Sequence, residues 1–491
     1  MAVSSSKSEW NVLLCLRSRR RLTAKKANIL KGTPFVRGDF MKTPICDFVK
    51  KYCADGALRL HMPGHKGVNL LGVEDRDITE VEGADVLYST GGGIIAESER
   101  NAGMLFGSGK TLYSTEGSSL CIRAMLYLCE LLAAERGRTA LVLAARNAHK
   151  AFLSAAALLD TRVEWLFSSG GEGIISCSVS PEALDKKLCE MEDKPSAVYI
   201  TSPDYLGNES DIRGLARVCH EHGAILAVDN AHGAYLKFLP ESRHPIDLGA
   251  DICCDSAHKT LPVLTGGAYL HISKGAPTLL SEMAEQAMQL FASTSPSYLI
   301  MQSLDMANLY LSEGYRERLA DLCDEAAGLK KALIRKGFEA VGGEPMKLTL
   351  ATKSYGYFGY EVAELLLEKG IVCEFSDPDY VVMMLTPEIE NRGIRLLCDA
   401  LCSIEKREAI FSRAPSVTEA ERVLSIRQAL MSRSREVSVD EALGEVLASA
   451  SVSCPPAIPV AVCGERIDER AIACFRYYGV EKCRVVEKYG L

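Results

Sequence analysis

Residues 224–259, AILAVDNAHGAYLKFLPESRHPIDLGADICCDSAHK, determine the fold class and indicate where the chemistry of this chain lies. The segment contains two short apolar runs. The first, Ala224–Val228, ends at Asp229, and the second, Ile252–Cys254, leads to Lys259. Apolar runs separated by longer connections are typical of parallel strands that are covered on both faces. The segment therefore predicts an α/β fold with polar groups at its strand ends.

The surroundings of Lys259 suit an aldehyde cofactor. In DSAHKT (residues 255–260) the lysine amine stands beside two hydroxyls and an imidazole. Such an amine forms a Schiff base with the aldehyde, and small donors nearby bind a phosphate group. Asp229 suits the same cofactor, pyridoxal 5′-phosphate, because an acid at the pyridine nitrogen keeps that nitrogen protonated. The alternative interpretation is a lysine on a surface loop.

Further apolar runs alternate with helical segments along the chain. Ala140–Ala144, Val163–Phe167 and Ala197–Ile200 read as strands, and Ile212–His222 reads as a helix. In parallel sheets of this kind, ligands bind beyond the carboxyl ends of the strands. The candidate site residues that lie at or just after such ends are His149, Thr201, Asp229, His232, Ser256, His258 and Lys259.

A second candidate for anion binding lies nearer the N-terminus. The stretch TEGSS (residues 115–119) precedes apolar residues at helical spacing. A turn with Ser118 and Ser119 that opens a helix offers backbone N–H groups and hydroxyls to a phosphate. An ordinary serine N-cap is the alternative.

The composition sets the class of protein. With 491 residues, 47% hydrophobic and 24% charged, the chain is expected to form a soluble globular protein of two or three domains. A net charge of -8 argues against general nucleic-acid binding, and no uninterrupted apolar run is long enough for a bilayer. The 18 cysteines are scattered without zinc-ligand spacing, which favours a reducing cytoplasm.

The first forty residues differ from the rest. They carry nine lysines and arginines against two acidic residues. An organelle transit peptide and a disordered arm are two interpretations. A third, which is favoured, is that Met41 is the real start and that residues 1–40 are not native.

The remaining chain is expected to form three regions. Residues 41–310 are an N-terminal arm plus a large cofactor-binding domain, 311–406 a smaller α/β domain, and 407–491 a C-terminal α+β domain. In the last region, a proline-rich turn at 454–459 is predicted to lead into a short apolar strand.

Six motifs together resemble the Orn/Lys/Arg decarboxylase family, within the aspartate-aminotransferase-like, fold type I pyridoxal-phosphate enzymes. The likeness runs from about Thr43 to the C-terminus and is closest to the shorter bacterial branch, without a receiver-like N-terminal domain. The motifs are LHMPGHKG (60–67), TSPDYLG (201–207), VDNAHG (228–233), SAHKTL (256–261), STSPSY (293–298) and PPAIP (455–459).

The resemblance implies a role for each candidate residue. Lys259 would bind the cofactor covalently, Asp229 would pair with the pyridinium, His149 would stack on the ring, and His232 would lie beside it. Ser118, Ser119, Ser256 and His258 would hold the phosphate, and Thr201 would also contact the cofactor. Asn230 departs from the family, many members of which have an acid there.

The implied reaction is decarboxylation of a basic amino acid in polyamine biosynthesis, giving agmatine or a diamine. Arginine is favoured as substrate, and lysine and ornithine remain open. The acids proposed to recognise the cationic side chain are Asp204, Glu374 and Glu465. Fold type I sites form at dimer interfaces, so a homodimer or a higher homo-oligomer is expected.

Two other classes of protein remain open. One is another fold type I enzyme, such as an aminotransferase, aldolase or lyase, in which Arg392 or Arg395 would bind the substrate carboxylate. The other is a catalytically inactive binding protein of the same fold. A metal site is not expected, because His61 and His65 have no third ligand in the sequence.

Overall fold

A seven-stranded sheet forms the centre of the computed structural model, which describes residues 41–81, 83–89, 92–168, 175–416, 419–450 and 458–487. Its strand order is β1-β7-β6-β5-β4-β2-β3. Only β7 is antiparallel to its neighbours, so the predicted mostly parallel sheet is confirmed. The strands are β1 (Lys110–Ser114), β2 (Leu141–Ala145), β3 (Arg162–Leu166), β4 (Ala197–Thr201), β5 (Ile225–Asp229), β6 (Ile252–Asp255) and β7 (Ala268–Ile272).

Helices cover both faces of this sheet, as the continuous apolar character of its strands requires. Side chains that alternate along a strand enter two different cores: Ala227 packs in the larger cluster, and Leu226 and Val228 pack in the second. The helices are α1 (Pro44–Ala54), α2 (Ile94–Phe106), α3 (Gly117–Glu135), α4 (Lys150–Leu159), α5 (Pro181–Glu190), α6 (Ile212–Glu221), α7 (Pro245–Leu248), α8 (Ala257–Thr260), α9 (Thr278–Glu282), α10 (Ala284–Phe291), α11 (Tyr298–Ser312) and α12 (Tyr315–Lys336), with a 3₁₀ turn at Ala234–Phe238.

The chain after Ser297 forms two consecutive helices, α11 and α12. Gly314 separates α11 from α12 with a φ of 67°, a left-handed conformation that glycine adopts without steric cost. The break lets α12 change direction and pack against the smaller sheet that follows.

The smaller sheet has four antiparallel strands in the order β10-β11-β9-β8. They are β8 (Glu339–Val341), β9 (Lys347–Ala351), β10 (Phe375–Ser376) and β11 (Tyr380–Met384), and they are accompanied by α13 (Gly359–Leu367), α14 (Asn391–Cys402) and a 3₁₀ turn at Lys353–Tyr355.

The C-terminal residues form a two-stranded sheet with two short helices. The elements are α15 (Ile426–Met431), β12 (Ser434–Ser438), a 3₁₀ turn at Val439–Glu441, α16 (Glu469–Tyr477) and β13 (Lys482–Val486). The prediction of a strand after the proline turn was wrong: the segment 458–463 is buried but does not form a strand. Its polar backbone groups bond to loops and to side chains, for example Val462 N to Glu465 Oε2 at 2.7 Å.

Some expectations from the sequence fall outside the described residues or stay untested. The basic extension at 1–40 and residues 455–457 of the proline motif lie outside the described residues. Residues from Lys42 onward belong to one compact unit, and the domain boundaries after 310 and 406 stay predictions. Helix α3 is long and apolar enough to cross a membrane, but more than half of it is buried inside the structure, as in the core helix of a globular protein.

Candidate active site

The candidate site lies where the neighbouring strands β4, β5 and β6 end. Thr201 and Asp229 are paired residues at the ends of β4 and β5. Lys259 follows β6 in the short helix α8, whose backbone is fixed by a bond from Lys259 N to Ser256 O at 3.0 Å. The parallel register therefore brings together residues that are up to 58 positions apart in the chain.

The amine of Lys259 contacts a buried histidine. Its Nζ lies 3.1 Å from Nε2 of His232, a residue that is 5% exposed. Burial lowers the pKa of Lys259 from its ordinary value, and Asp229 opposes that shift. Burial also holds the pKa of His232 well below its ordinary value, and the charge of Lys259 adds to the effect. The pair thus favours a neutral imidazole beside an amine that deprotonates more easily than usual.

Asp229 is a buried acid held by neutral donors. It is 2% exposed, and it accepts from Tyr199 Oη at 3.1 Å, Ala231 N at 3.2 Å and Cys254 Sγ at 3.6 Å. Within the described part of the chain, no cation lies within ion-pair distance of it. A buried carboxylate without a cation is costly, so this geometry fits a ligand that presents a protonated ring nitrogen. The residues present therefore fit pyridoxal 5′-phosphate at this end.

The buried atoms near the site that have no partner among the described residues include His232 Nδ1 and Thr201 Oγ1. When the Lys259 amine donates to Nε2, the hydrogen of the neutral His232 ring is on Nδ1. Such orphaned polar groups normally mark a bound group or water. They give His232 and Thr201 the capacity to bind the substituents of a cofactor ring.

Hydroxyls meet at the other end of the site. Ser256 Oγ donates to Ser118 Oγ at 2.8 Å, which leaves the Ser118 hydroxyl hydrogen available. Ser118 and the half-buried Ser119 stand in the first turn of α3, whose N-terminus has no side-chain cap. A phosphate at this position would accept from the hydroxyls and the free N–H groups.

His258 is less well prepared for a phosphate than the serines. Its Nδ1 donates to the carbonyl of Gly267 at 2.9 Å, so Nε2 carries a lone pair when the ring is neutral. Burial lowers the pKa of His258, which favours that neutral form. We expect His258 to bind a phosphate oxygen only when it is protonated.

His149 occupies the N-cap of α4. Its Nδ1 accepts from Ala151 N at 3.1 Å, which fixes the ring at the start of the helix. Burial lowers the pKa of His149, while the charge of Asp229 raises it and that of Lys259 lowers it further. These effects put His149 within electrostatic reach of both residues.

The three acids predicted to recognise the substrate are in different environments. Glu374 is exposed and accepts from Tyr205 Oη at 2.9 Å, and the Tyr205 ring contacts the His232 ring edge-on at 5.2 Å. Its charge also raises the pKa of Lys259, so Glu374 borders the site.

Asp204 and Glu465 do not suit that role. Asp204 Oδ1 accepts from Leu206 N and Asn208 N, both at 2.9 Å, and Oδ2 accepts from Asn208 Nδ2, so this carboxylate closes its own turn. Glu465 is 5% exposed and forms an ion pair with Arg146 at 3.4 Å. In both cases other groups of the chain already satisfy the carboxylate.

Sequence reasoning missed several residues at the site. Tyr199 binds Asp229 from within β4, and Tyr205 lies between His232 and Glu374. Lys347 is 2% exposed in β9, where it pairs with Glu344 at 3.0 Å and donates to Asp204 O at 3.2 Å. Of these residues, Lys347 gave the one signal visible in the sequence, a lysine in the apolar run of β9.

The histidines considered for a metal site and the arginines considered for an aminotransferase have other surroundings. His61 bonds Tyr52 Oη at 2.5 Å, and His65 lies 3.3 Å from Asp77. Arg392 and Arg395 are exposed on α14, and no contact of either with the Lys259 cluster is seen among the described residues. An aminotransferase-type carboxylate clamp from these two arginines is therefore not supported.

The fold is that of fold type I pyridoxal-phosphate enzymes. The family model described as Orn/Lys/Arg decarboxylase, major domain, matches residues 43–342, more than half of the chain. The chain belongs to this family.

Similar proteins cover nearly the whole chain. The uncharacterized protein YaaO of Bacillus subtilis is 28% identical over 88% of this chain and 93% of its own length. An arginine decarboxylase of the same organism is 26% identical over 88% of this chain and 92% of its length. The crystal structure of the Francisella novicida lysine decarboxylase LdcF has a TM-score of 0.72 at 16% identity, over 91% of this chain and 81% of that one, which shows a shared fold.

Family membership confirms two expectations drawn from the sequence. The chain is a pyridoxal-phosphate-dependent amino-acid decarboxylase, and pyridoxal 5′-phosphate is its cofactor. The roles of the individual residues stay predictions.

Proposed function

We propose that this enzyme decarboxylates arginine to agmatine in polyamine biosynthesis, with lysine or ornithine as less favoured substrates that would give diamines. The observation that carries the proposal is the pairing of a buried Lys259 amine, 3.1 Å from His232, with a buried Asp229 that has no cationic partner among the described residues. An amine and an isolated buried acid are the two anchors that pyridoxal 5′-phosphate requires.

When bound, the cofactor supplies an electron sink for the charge that loss of CO2 leaves on the α-carbon. Asp229 would hold the ring nitrogen protonated, because a buried carboxylate raises the pKa of a neighbouring pyridinium. Tyr199 and Ala231 orient that carboxylate through the bonds described above. Ser118, Ser119 and Ser256, with the N-terminus of α3, would hold the phosphate.

Lys259 and His232 manage protons at the reacting side. The lowered pKa of Lys259 increases the fraction of neutral, nucleophilic amine. The Lys259 amine lies next to His232 Nε2 and, when free, would be available to return a proton to the α-carbon. His149 would contact the face of the ring and restrict its tilt, which keeps the scissile bond aligned.

The preference for arginine rests on the curated relatives. The named relatives that span this chain at comparable length are arginine decarboxylases of Bacillus and Halalkalibacterium. The likeness to lysine decarboxylases is a likeness of fold. Glu374 is the described acid best placed at the rim to meet a cationic side chain, because Tyr205 connects it to His232.

A homodimer in the cytoplasm is part of the proposal. The N-terminal arm exposes large apolar side chains that a solvated monomer would not favour, among them Leu58 at 83%, Leu60 at 82%, Leu70 at 82% and Leu71 at 87%. A second copy of the chain would cover this surface.

The direct test is CO2 release from purified holoenzyme with arginine, lysine and ornithine in parallel. We expect the fastest release of CO2 with arginine, and agmatine as its product. Formation of a keto acid instead of CO2 would favour an aminotransferase, and a cofactor-loaded protein inert toward all three would overturn the proposal.

A further inference from the structure

Arg146 connects the loop that carries His149 to the C-terminal part of the chain. It directly follows β2, three residues before His149. Its Nη1 donates to Pro459 O at 3.1 Å, and its Nη2 donates to Val460 O at 3.3 Å and to Glu465 Oε2 at 3.4 Å. The guanidinium also lies over the Trp165 ring, 5.6 Å from its centroid. One side chain therefore bonds three groups that are more than 300 residues away in sequence.

This contact is buried and has little freedom to move. Arg146 is 7% exposed and Glu465 is 5% exposed. Glu465 Oε2 also accepts from Val462 N at 2.7 Å, which fixes the acid in its own turn. Loss of either partner would leave the other charge buried and uncompensated, so the pair holds the two segments together.

A second arginine holds the far end of the helix that His149 caps. Arg427 in α15 donates from Nη1 to Ala157 O at 2.8 Å and to Leu158 O at 3.0 Å. These are carbonyls of the last turn of α4, which have no partner within the helix. The C-terminal region therefore binds the last turn of helix α4 through Arg427, and it binds the loop before the His149 N-cap through Arg146.

We propose that Arg146, Glu465 and Arg427 are positioning residues that set the angle of the His149 ring, so that the C-terminal region tunes the reaction without touching the substrate. The inference rests on the proposed function, in which His149 contacts the reacting group. A ring fixed at a helix N-cap moves when the helix rotates or slides, and misplacement by about 1 Å costs on the order of 10²-fold in rate.

The test uses three variants, one of which leaves the buried ion pair intact. Arg427→Met removes a half-buried contact at the helix end, Arg146→Lys keeps the buried positive charge, and Glu465→Gln keeps the volume of the buried acid. Arg476→Met is the matched control, because Arg476 lies in the same C-terminal region but pairs with Asp440, at 2.6 Å, and not with α4. Each change is made in the native background and in His149→Ala.

We expect Arg427→Met and Glu465→Gln to lower kcat by about 10-fold with KM changed less than about twofold. The circular dichroism band of the bound cofactor should change in the same way as in His149→Ala, while Arg476→Met should leave both readouts unchanged. In the His149→Ala background the additional loss should disappear, since the effects act through one residue. Arg146→Lys should retain more activity than Glu465→Gln, because it keeps the charge.

Equal losses with and without His149 would overturn the proposal and leave a general structural role. A change in KM alone, or an effect of Arg476→Met as large as that of Arg427→Met, would also overturn it. The dichroism readout does not need turnover. The wild-type enzyme could release no CO2 while Arg427→Met and Glu465→Gln still show the dichroism change of His149→Ala, with no further change in the His149→Ala background. That result would support the positioning role while the proposed function fails.

Discussion

Two buried aspartates at adjacent strand ends have opposite surroundings. Asp255, at the end of β6, faces His244 at 3.0 Å and His271 at 3.4 Å, and it accepts from Asn230 Nδ2 at 2.7 Å. Asp229, at the end of β5, has only neutral donors from the described residues. The core acid has two histidines of its own, whereas the site acid lacks a cation that a ligand can supply.

The histidine pair around Asp255 belongs to a buried network of polar side chains. His271 Nδ1 bonds Thr111 Oγ1 at 2.8 Å, and Thr111 bonds Ser108 at 2.7 Å. His244 Nε2 donates to Asp255 Oδ2 at 3.0 Å. Three ligand atoms of this kind close together resemble a metal site, but the His244 hydrogen already occupies a position that a metal would need. Buried acid–histidine geometry alone therefore does not identify function, whereas the missing cation beside Asp229 does.

The strongest effect is expected at Lys259. In Lys259→Ala, decarboxylation should be abolished, because the amine that binds the cofactor is gone. Borohydride reduction of the holoenzyme followed by peptide mass spectrometry checks this directly. We expect the reduced adduct on the Lys259 peptide of the native enzyme and none in the variant.

Lys347→Met is the control, since Lys347 is another buried lysine whose charge reaches the site. That variant should keep the adduct. An adduct retained in Lys259→Ala would show that another lysine carries the cofactor, and the comparison of the two aspartates would then lose its meaning.

The next effect is on stability. Asp255→Ala should lower the free energy of unfolding of the apoprotein by about 3–5 kcal/mol, because it leaves buried histidine and amide donors without their acceptor. Urea unfolding followed by far-UV circular dichroism measures it. A loss below about 1 kcal/mol would contradict the view that this network stabilises the core.

The pH dependence of this loss refines the prediction. Burial alone would raise the pKa of Asp255, but His244 and His271 outweigh it and hold the pKa below the ordinary range. An acid whose pKa is lowered by folding stabilises the folded state above its unfolded pKa. This stabilisation is lost as the pH falls toward the folded pKa. The difference between native protein and Asp255→Ala should therefore be constant from neutral pH to about pH 4 and shrink below that.

Asp229→Asn should differ from Asp255→Ala by lowering activity and not stability. We expect kcat to fall by about 10²-fold, equivalent to about 2.7 kcal/mol, because the ring nitrogen loses its counter-charge. The apoprotein should be no less stable than the native apoprotein, since an uncompensated buried charge has been removed. Steady-state kinetics and urea unfolding of the apo form test both halves, and unimpaired turnover would show that Asp229 does not keep the ring nitrogen protonated.

Much of the fold and of the site was predictable from the sequence for a physical reason. Strands buried on both faces are continuous apolar runs, so the strands leading to Asp229 and Lys259 could be read directly and their ends fell at one edge of the sheet. The mostly parallel sheet followed from this, the fold type I class was implied by the resemblance of the six motifs, and both are confirmed.

What could not be predicted was which polar groups were already satisfied. Asp204 and Glu465 are acids near a predicted site, but their partners are backbone N–H groups in a turn and an arginine more than 300 residues away. The partner of Glu465 depends on tertiary packing and leaves no periodic trace in the sequence. The same holds for Tyr199, whose hydroxyl reaches Asp229 across neighbouring strands.

The weakest effect is expected at the rim, where Glu374 and Glu388 form a matched pair of sites. Both are exposed acids that accept from a tyrosine hydroxyl, Tyr205 at 2.9 Å and Tyr310 at 2.6 Å, but only Tyr205 also contacts His232. Glu374→Gln should raise KM for arginine by about two- to fivefold, the range of an exposed charge pair, and leave kcat unchanged. Glu388→Gln should leave KM and kcat unchanged, because the Tyr310–Glu388 pair has no candidate site beside it and would not meet the substrate cation. Equal KM values in the two variants would show that the substrate charge is recognised by another group, and higher salt should reduce the Glu374 effect if it is electrostatic.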